Sequence, residues 1–123
     1  MKIQGKSVWI TGASSGIGEA LATELFLQGA IVILSARNVS RLNSLKSRLD
    51  AKEQGRCYVV PCDVTRSSDI EEASHKVNEL TGGVDILVNN AGVSQRSFAM
   101  DTSLQVDREI FEVNFFGAVA ITK

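Results

Sequence analysis

Apolar and polar positions along the 123-residue chain alternate between two patterns. Four short apolar runs read as strands: Val8–Thr11, Ile31–Leu34, Tyr58–Val60 and Asp85–Asn89, the last built on Ile86, Leu87 and Val88. Runs this continuous suit strands buried on both faces, as in a parallel sheet. Pro61 closes the third, since it has no N–H to extend a ladder. Between the runs the period lengthens to that of a helix. Ile17, Leu21 and Leu25 stand four apart with Ala20 beside them, and Gly29 ends that stretch. Leu42, Leu45 and Leu49 form a second stripe, with Ser40 as its expected N-cap. Ile70, Ala73, Val77 and Leu80 form a third, which stops at Gly82-Gly83. Beyond Gly92 the chain is polar to about Thr102, and from about Ser103 to Lys123 it reads as mostly helical through Leu104, Ile110, Phe111, Phe115 and Val119.

Strand–helix alternation with short connections implies βαβ units joined by right-handed crossovers. The expected class is therefore α/β, a Rossmann-like doubly wound parallel sheet whose first four strands lie in the order 3-2-1-4. Residues 1–123 make one domain. The fourth strand is expected at an edge of that sheet. Uncovered apolar edges associate, so the chain is expected to form a homo-oligomer.

Composition narrows the function classes. Thirteen Lys and Arg against fourteen Asp and Glu leave a net charge of −1, with no basic excess to bind nucleic acid or an anionic membrane. No apolar run approaches the ~20 residues that a membrane span requires. Cys57 and Cys62, in extended chain, would lie ~16 Å apart, too far for a disulfide. Together with an N-terminus lacking an apolar signal region, this makes a cytoplasmic setting the expectation. The cysteines also lack zinc spacing, so no metal site is expected. The lone His75 reads as a solvated helix position, and Asn38-Val39-Ser40 as an unused glycosylation triplet.

The chemistry concentrates in Gly12-Ala13-Ser14-Ser15-Gly16-Ile17-Gly18, between the first strand and the first helix. Gly12 permits a sharp turn off the strand. Gly16 and Gly18 clear side chains where backbone must approach a pyrophosphate or pack on the sheet. The helix start then offers unpaired N–H groups and its positive dipole end to an anion. A phosphate loop of the Gly-Lys-Ser/Thr type is excluded, because the helix opens with Gly-Ile-Gly. In dinucleotide folds an acidic residue after the second strand holds the adenosine ribose and selects NAD. Here that stretch is Leu34-Ser35-Ala36-Arg37-Asn38, without a carboxylate. The planar fork of Arg37 matches a 2′-phosphate, so NADP(H) is favoured over NAD(H).

These residues resemble the classical short-chain dehydrogenases/reductases. Thr11 through Gly18 is similar to that family's cofactor loop, which implies cofactor contacts at Gly12, Ser14, Ser15, Gly16, Ile17 and Gly18. Arg37 and Asn38 resemble its NADP-preferring form. Cys62-Asp63-Val64-Thr65 resembles the segment after the third strand, where the Asp63 carboxylate and the Val64 amide would hold the adenine. Asn89-Asn90-Ala91-Gly92 is similar to the signature after the fourth strand, placing Asn90, Ala91 and Gly92 at the cofactor. Asn114 falls where the family has its catalytic asparagine, at a bend in a helix. Ser94-Gln95-Arg96-Ser97 with Met100–Leu104 resembles a branch that includes dehydrogenase/reductase family member 7, whose members usually carry a membrane anchor before the first strand.

The resemblance implies an NADP(H)-dependent oxidoreductase that moves hydride between the nicotinamide and a carbonyl or alcohol substrate. It also implies a serine and a Tyr-x-x-x-Lys pair, and neither occurs by Lys123. Tyr58, the only tyrosine, has Cys62 four residues on. The chain is therefore read as the cofactor-binding half, stopping before the fifth strand and expected to be inactive alone. The alternative is a non-catalytic module that binds a dinucleotide or a partner.

Overall fold

The computed structural model describes residues 3–14 and 16–90, and the backbone of 111–114. The elements run β1 (Ser7–Thr11), α1 (Gly16–Leu27), β2 (Ile31–Ser35), α2 (Val39–Asp50), β3 (Cys57–Val59), α3 (Ser67–Thr81), β4 (Ile86–Asn89) and β5 (Phe111–Asn114). The strands form one parallel sheet in the order β3-β2-β1-β4-β5. The expected 3-2-1-4 core is present, with a fifth strand added outside β4.

The two-residue period of the strands sorts their side chains into two buried layers. Val8, Ile10, Val32, Leu34, Ile86 and Val88 face one side, packed with Ala22, Leu25 and Phe26 of α1 and the three leucines of α2. Trp9, Ile33 and Leu87 face the other, against Ile70, Ala73 and Val77 of α3. Leu42, Leu45 and Leu49 are at most 1% exposed, and each such burial contributes about 1.5–3 kcal/mol. The chain's lone tryptophan and β2 are thus enclosed between helices on both sides, as the continuous apolar runs predict.

Four local expectations differ from the structure. The buried face of α1 is Gly18, Ala22, Leu25 and Phe26. Ile17 is 41% exposed, Leu21 is only partly buried and Ala20 is exposed. Gly18 carries no hydrophobic signal, so the stripe read from large residues was rotated from the true contact face. Helix α2 begins two residues earlier than a Ser40 cap would give: Asn38 is the N-cap, its Oδ1 accepting from Arg41 N at 3.1 Å. Leu80, the last residue of the third stripe, is exposed near the end of α3.

The largest difference lies in the segment read as helical, of which residues 111–114 are strand. Phe111, Glu112, Val113 and Asn114 pair in parallel with Ile86, Leu87, Val88 and Asn89. The outer edge of β4 presents a row of backbone donors and acceptors, and pairing with it outweighs the local helical period. Two of the four residues, Phe111 and Val113, also have high strand propensity. Accordingly β4 is not the edge of this sheet, and Asn114 stands in a strand rather than at a helix bend.

Candidate functional site: a cleft at the carboxyl ends of the strands

Parallel strands place all their carboxyl ends on one side, where the loops after β1, β2, β3 and β4 converge. A cleft of about 580 Å³ opens there. Its walls come from four loops: Gly12 and Ser14 after β1; Ala36, Arg37 and Asn38 after β2; Cys62 to Thr65 after β3; and Asn90 after β4. Seven of the residues expected from sequence meet in this cleft: Gly12, Ser14, Arg37, Asn38, Asp63, Val64 and Asn90.

Gly12 turns with φ +67°, a left-handed conformation that disfavours a side chain. The turn brings Ala13 N to within 3.1 Å of the Ser35 carbonyl, fixing the loop to β2. The loop also binds β4, where Asn90 Nδ2 donates to the Gly12 carbonyl at 3.3 Å. Asn90 N donates to Thr11 Oγ1 at 3.1 Å, and that hydroxyl in turn donates to Asn89 Oδ1 at 3.1 Å. Asn90 thus ties the end of β4 to both β1 and the loop that follows it.

The other two helix-opening glycines serve different ends. A Cβ on Gly18 would lie 2.3 Å from the Gly12 carbonyl oxygen and 2.8 Å from Asn90 Nδ2. Only a hydrogen fits there, so Gly18 lets α1 close onto the loop. A Cβ on Gly16 would meet nothing within 4 Å. Gly16 is exposed at the first turn of α1. Neither Gly16, Ile17 nor Gly18 is among the residues lining the cleft. Ser15, Ala91 and Gly92 lie outside the described residues.

On the far wall, Asp63 Oδ1 accepts from Thr65 N at 3.0 Å and from Thr65 Oγ1 at 2.6 Å. These bonds to the charged form hold the Asp63 carboxyl below the usual carboxylate range, with Arg37 and Arg66 adding smaller effects in the same direction. Asp63 N donates to Asp69 Oδ2 at 3.3 Å, which ties the loop to the first turn of α3. Arg37 is exposed on the opposite lip, and among the described residues no carboxylate lies within ion-pair distance of it. The Asn38 Oδ1 is engaged as the α2 cap, so that oxygen is a framework group as well as part of the lining.

Ala36, Cys62 and Thr65 also line the cleft but had no separate role in the sequence reading. Thr65 had a legible signal, since Asp-x-Thr is a pattern for a side-chain-stapled turn. The Cys62 thiol is 4% exposed, and burial, then Asp69 and Asp63, push it up to about 11. It is a neutral wall residue rather than a nucleophile. Cys57 and Cys62 are both free thiols, and His75 is exposed on α3. Among the described residues no group of three or more His, Cys, Asp or Glu could hold a metal ion, and no helix is long and apolar enough to cross a membrane.

A dinucleotide fits these features physically. The first turn of α1 is open at Gly16, and the cation of Arg37 and the carboxylate of Asp63 line the cleft together with Gly12 and Ser14 of the preceding loop. Comparison with known proteins agrees. The short chain dehydrogenase family profile matches residues 6–123. Dehydrogenase/reductase SDR family member 7 of Homo sapiens is 48% identical over 120 residues, covering 94% of this chain and 35% of that protein. Farnesol dehydrogenase of Aedes aegypti is 40% identical over 116 residues, 94% of this chain and 47% of its own length. A short chain dehydrogenase/reductase from Burkholderia phymatum, solved in complex with NAD, superimposes with a TM-score of 0.70 at 30% identity, over 76% of this chain and 33% of that one. The 3-ketoacyl-(acyl-carrier-protein) reductase of Brucella melitensis, complexed with NADH, gives 0.68 at 32% identity, over 74% of this chain and 36% of that one. The chain thus spans between about a third and a half of these relatives. It belongs to the short-chain dehydrogenase/reductase family.

Proposed function

We propose that this chain is the cofactor-binding part of an NADP(H)-dependent oxidoreductase acting on a carbonyl or alcohol. One observation supports the choice of NADP(H): the exposed Arg37 stands on the cleft wall two residues after β2, and no carboxylate occupies that stretch. A guanidinium suits a 2′-phosphate, whereas the ribose 2′-hydroxyl of NAD calls for an acidic acceptor. The bound nicotinamide supplies the hydride chemistry.

The chain's own groups bind and orient. The first-turn N–H groups of α1 neutralise the pyrophosphate, with Ser14 and Ser15 beside them. Gly18 fixes the distance from helix to loop. Asp63 and the Val64 amide recognise the adenine edge, with Thr65 holding the Asp63 carboxylate in place. Asn90, Ala91 and Gly92 support the nicotinamide side. Asn114, in register with Asn89 at the carboxyl end of β5, is the catalytic-site residue of this half. The proton donor of the reaction lies in family motifs absent from this sequence, so the 123 residues alone bind without turning over. The expected setting is cytoplasmic, and the expected assembly a homo-oligomer.

The test is a pair of titrations with NADPH and NADH. The native chain is expected to prefer NADPH, and Arg37→Asp to weaken NADPH by roughly tenfold to a hundredfold while sparing NADH, as loss of a charge-assisted contact implies. An unchanged ratio would refute the NADP(H) assignment.

A further inference from the structure

Ser35 is an unusual residue for its place. It ends β2, is completely buried, and lies in a strand otherwise made of Ile and Val and Leu. Its hydroxyl accepts from Trp9 Nε1 at 2.7 Å and donates to the Val60 carbonyl at 2.6 Å. A hydroxyl is the smallest side-chain group that can do both at once. Its backbone carbonyl meanwhile accepts from Ala13 N in the glycine loop, at 3.1 Å.

The positions of these partners matter. Ala13 lies in the loop after β1. Val60 directly follows β3 and precedes Cys62 and Asp63 on the far wall. Ser35 itself is two residues before Arg37. Three of the four loops that make the cleft are therefore tied to one residue. The ties alternate with Val60 N to the Leu34 carbonyl at 2.9 Å and Cys62 N to the Ala36 carbonyl at 3.2 Å, so β3 is fastened to β2 up to the point where the two chains separate into the Arg37 and Asp63 arms.

We propose that Ser35, held by Trp9, is a positioning residue that sets the separation of the Arg37 and Asp63 arms and thereby the fit of the adenosine end of the ligand. The inference rests on the dinucleotide reading for its effect on binding, but not for its effect on the arms. Ser35 touches no ligand. Its side chain acts through Val60 while its backbone carbonyl holds Ala13, and the indole fixes which way the hydroxyl points.

The experiment is hydrogen exchange on the full chain, paired with binding of adenosine 2′,5′-bisphosphate and of nicotinamide mononucleotide. Ser35→Ala is expected to raise exchange across residues 36–38 and 62–65 about tenfold, the scale of an orphaned buried partner, with less than about twofold change at Ser7 and Asp85. It should weaken the bisphosphate about tenfold and the mononucleotide less than about threefold. A purely structural Ser35 would exist to satisfy the indole N–H. Trp9→Phe/Ser35→Ala removes that need, so under a purely structural role the double variant recovers native exchange in both arms. Under the proposal the 62–65 arm stays loose, because the Val60 carbonyl still lacks its Ser35 donor. The double variant also carries the test if Ser35→Ala does not fold. Native exchange in both arms of either variant overturns the proposal. Loosened arms in a protein whose native form binds neither ligand would uphold the positioning role and refute the dinucleotide reading instead.

Discussion

The two ends of one sheet solve opposite problems with the same strands. At the amino ends, polar groups close on one another. Ser7 Oγ donates to the Gly83 carbonyl at 2.9 Å, and Ser7 N to Asp85 Oδ2 at 2.9 Å. Arg56 lies over the Phe26 ring, 4.1 Å from its centroid, and its Nη1 donates to the Phe26 and Ala30 carbonyls where α1 ends. At the carboxyl ends the loops diverge, with exposed Arg37 and partly exposed Asp63 across a cleft. Even there, beneath the lining, Thr11 is bonded to Asn89 and to Asn90 of the lining, and Ser35 to Val60. The lesson is that a binding edge is made by leaving only the outermost layer of polar groups to a ligand.

The sharpest way to break this comparison is at the helix-opening glycines. Gly18→Ala places a methyl carbon 2.3 Å from a backbone oxygen that cannot swing aside. It is expected to destabilise the fold by about 2–3 kcal/mol, seen as a lower denaturation midpoint, and to abolish dinucleotide binding. Gly16→Ala meets open space, so stability should change by less than about 1 kcal/mol. Binding should still fall, because the methyl enters the room left for the pyrophosphate. If the two variants behaved alike, the distinction between a packing glycine and a ligand-facing glycine would be wrong.

A smaller effect separates the two ends directly. Ser7→Ala removes the hydroxyl donor to the Gly83 carbonyl. The expected cost is about 1–2 kcal/mol in chemical denaturation, with nucleotide affinity unchanged within about twofold. A marked loss of affinity would show that the closed end communicates with the cleft.

The smallest effect is one of pH. The Asp63 carboxyl is held below its ordinary value of 3.8 by Thr65. A depressed folded-state pKa means that the turn's contribution is complete above that ordinary value and fades as pH falls through the lower folded one. Affinity for NAD, whose pyrophosphate does not titrate in this range, should therefore be level from neutral pH down to about 4 and fall below it. Asp63→Asn should bind more weakly at neutral pH and lose that acid limb. A native profile equally flat below pH 4 would mean that the Asp63–Thr65 turn does not shape the site.

Much of this was readable beforehand because the governing forces are local or periodic. The runs at Val8, Ile31 and Ile86, with glycine breaks between helices, carried the parallel order of the first four strands. The spacing of Gly12, Gly16 and Gly18 carried the tight turn from β1 into α1. What escaped the reading involved groups without a strong signal of their own. Gly18 belongs to the buried face of α1, yet contributes nothing to a hydrophobic stripe. Asn38 and Ser40 are both capable caps, and only the backbone path out of β2 selects Asn38. Ser35 has no signal of its own, and only the fold places it between Trp9 and Val60.

Residues 111–114 mark the boundary between the two kinds of information. Composition and periodicity determined the α/β class, the strand order around β1 and the side of the sheet on which the chemistry would collect. These follow from chain-local periods and from the handedness of parallel crossovers. The tertiary structure alone decided that Phe111–Asn114 would pair with β4, that Ser35 would join three loops, and that Gly16 and Gly18 would face opposite duties. Each of those outcomes depends on which backbone or polar group arrives from a distant part of the chain, and pairing energy gained that way can exceed the local preferences that a sequence displays.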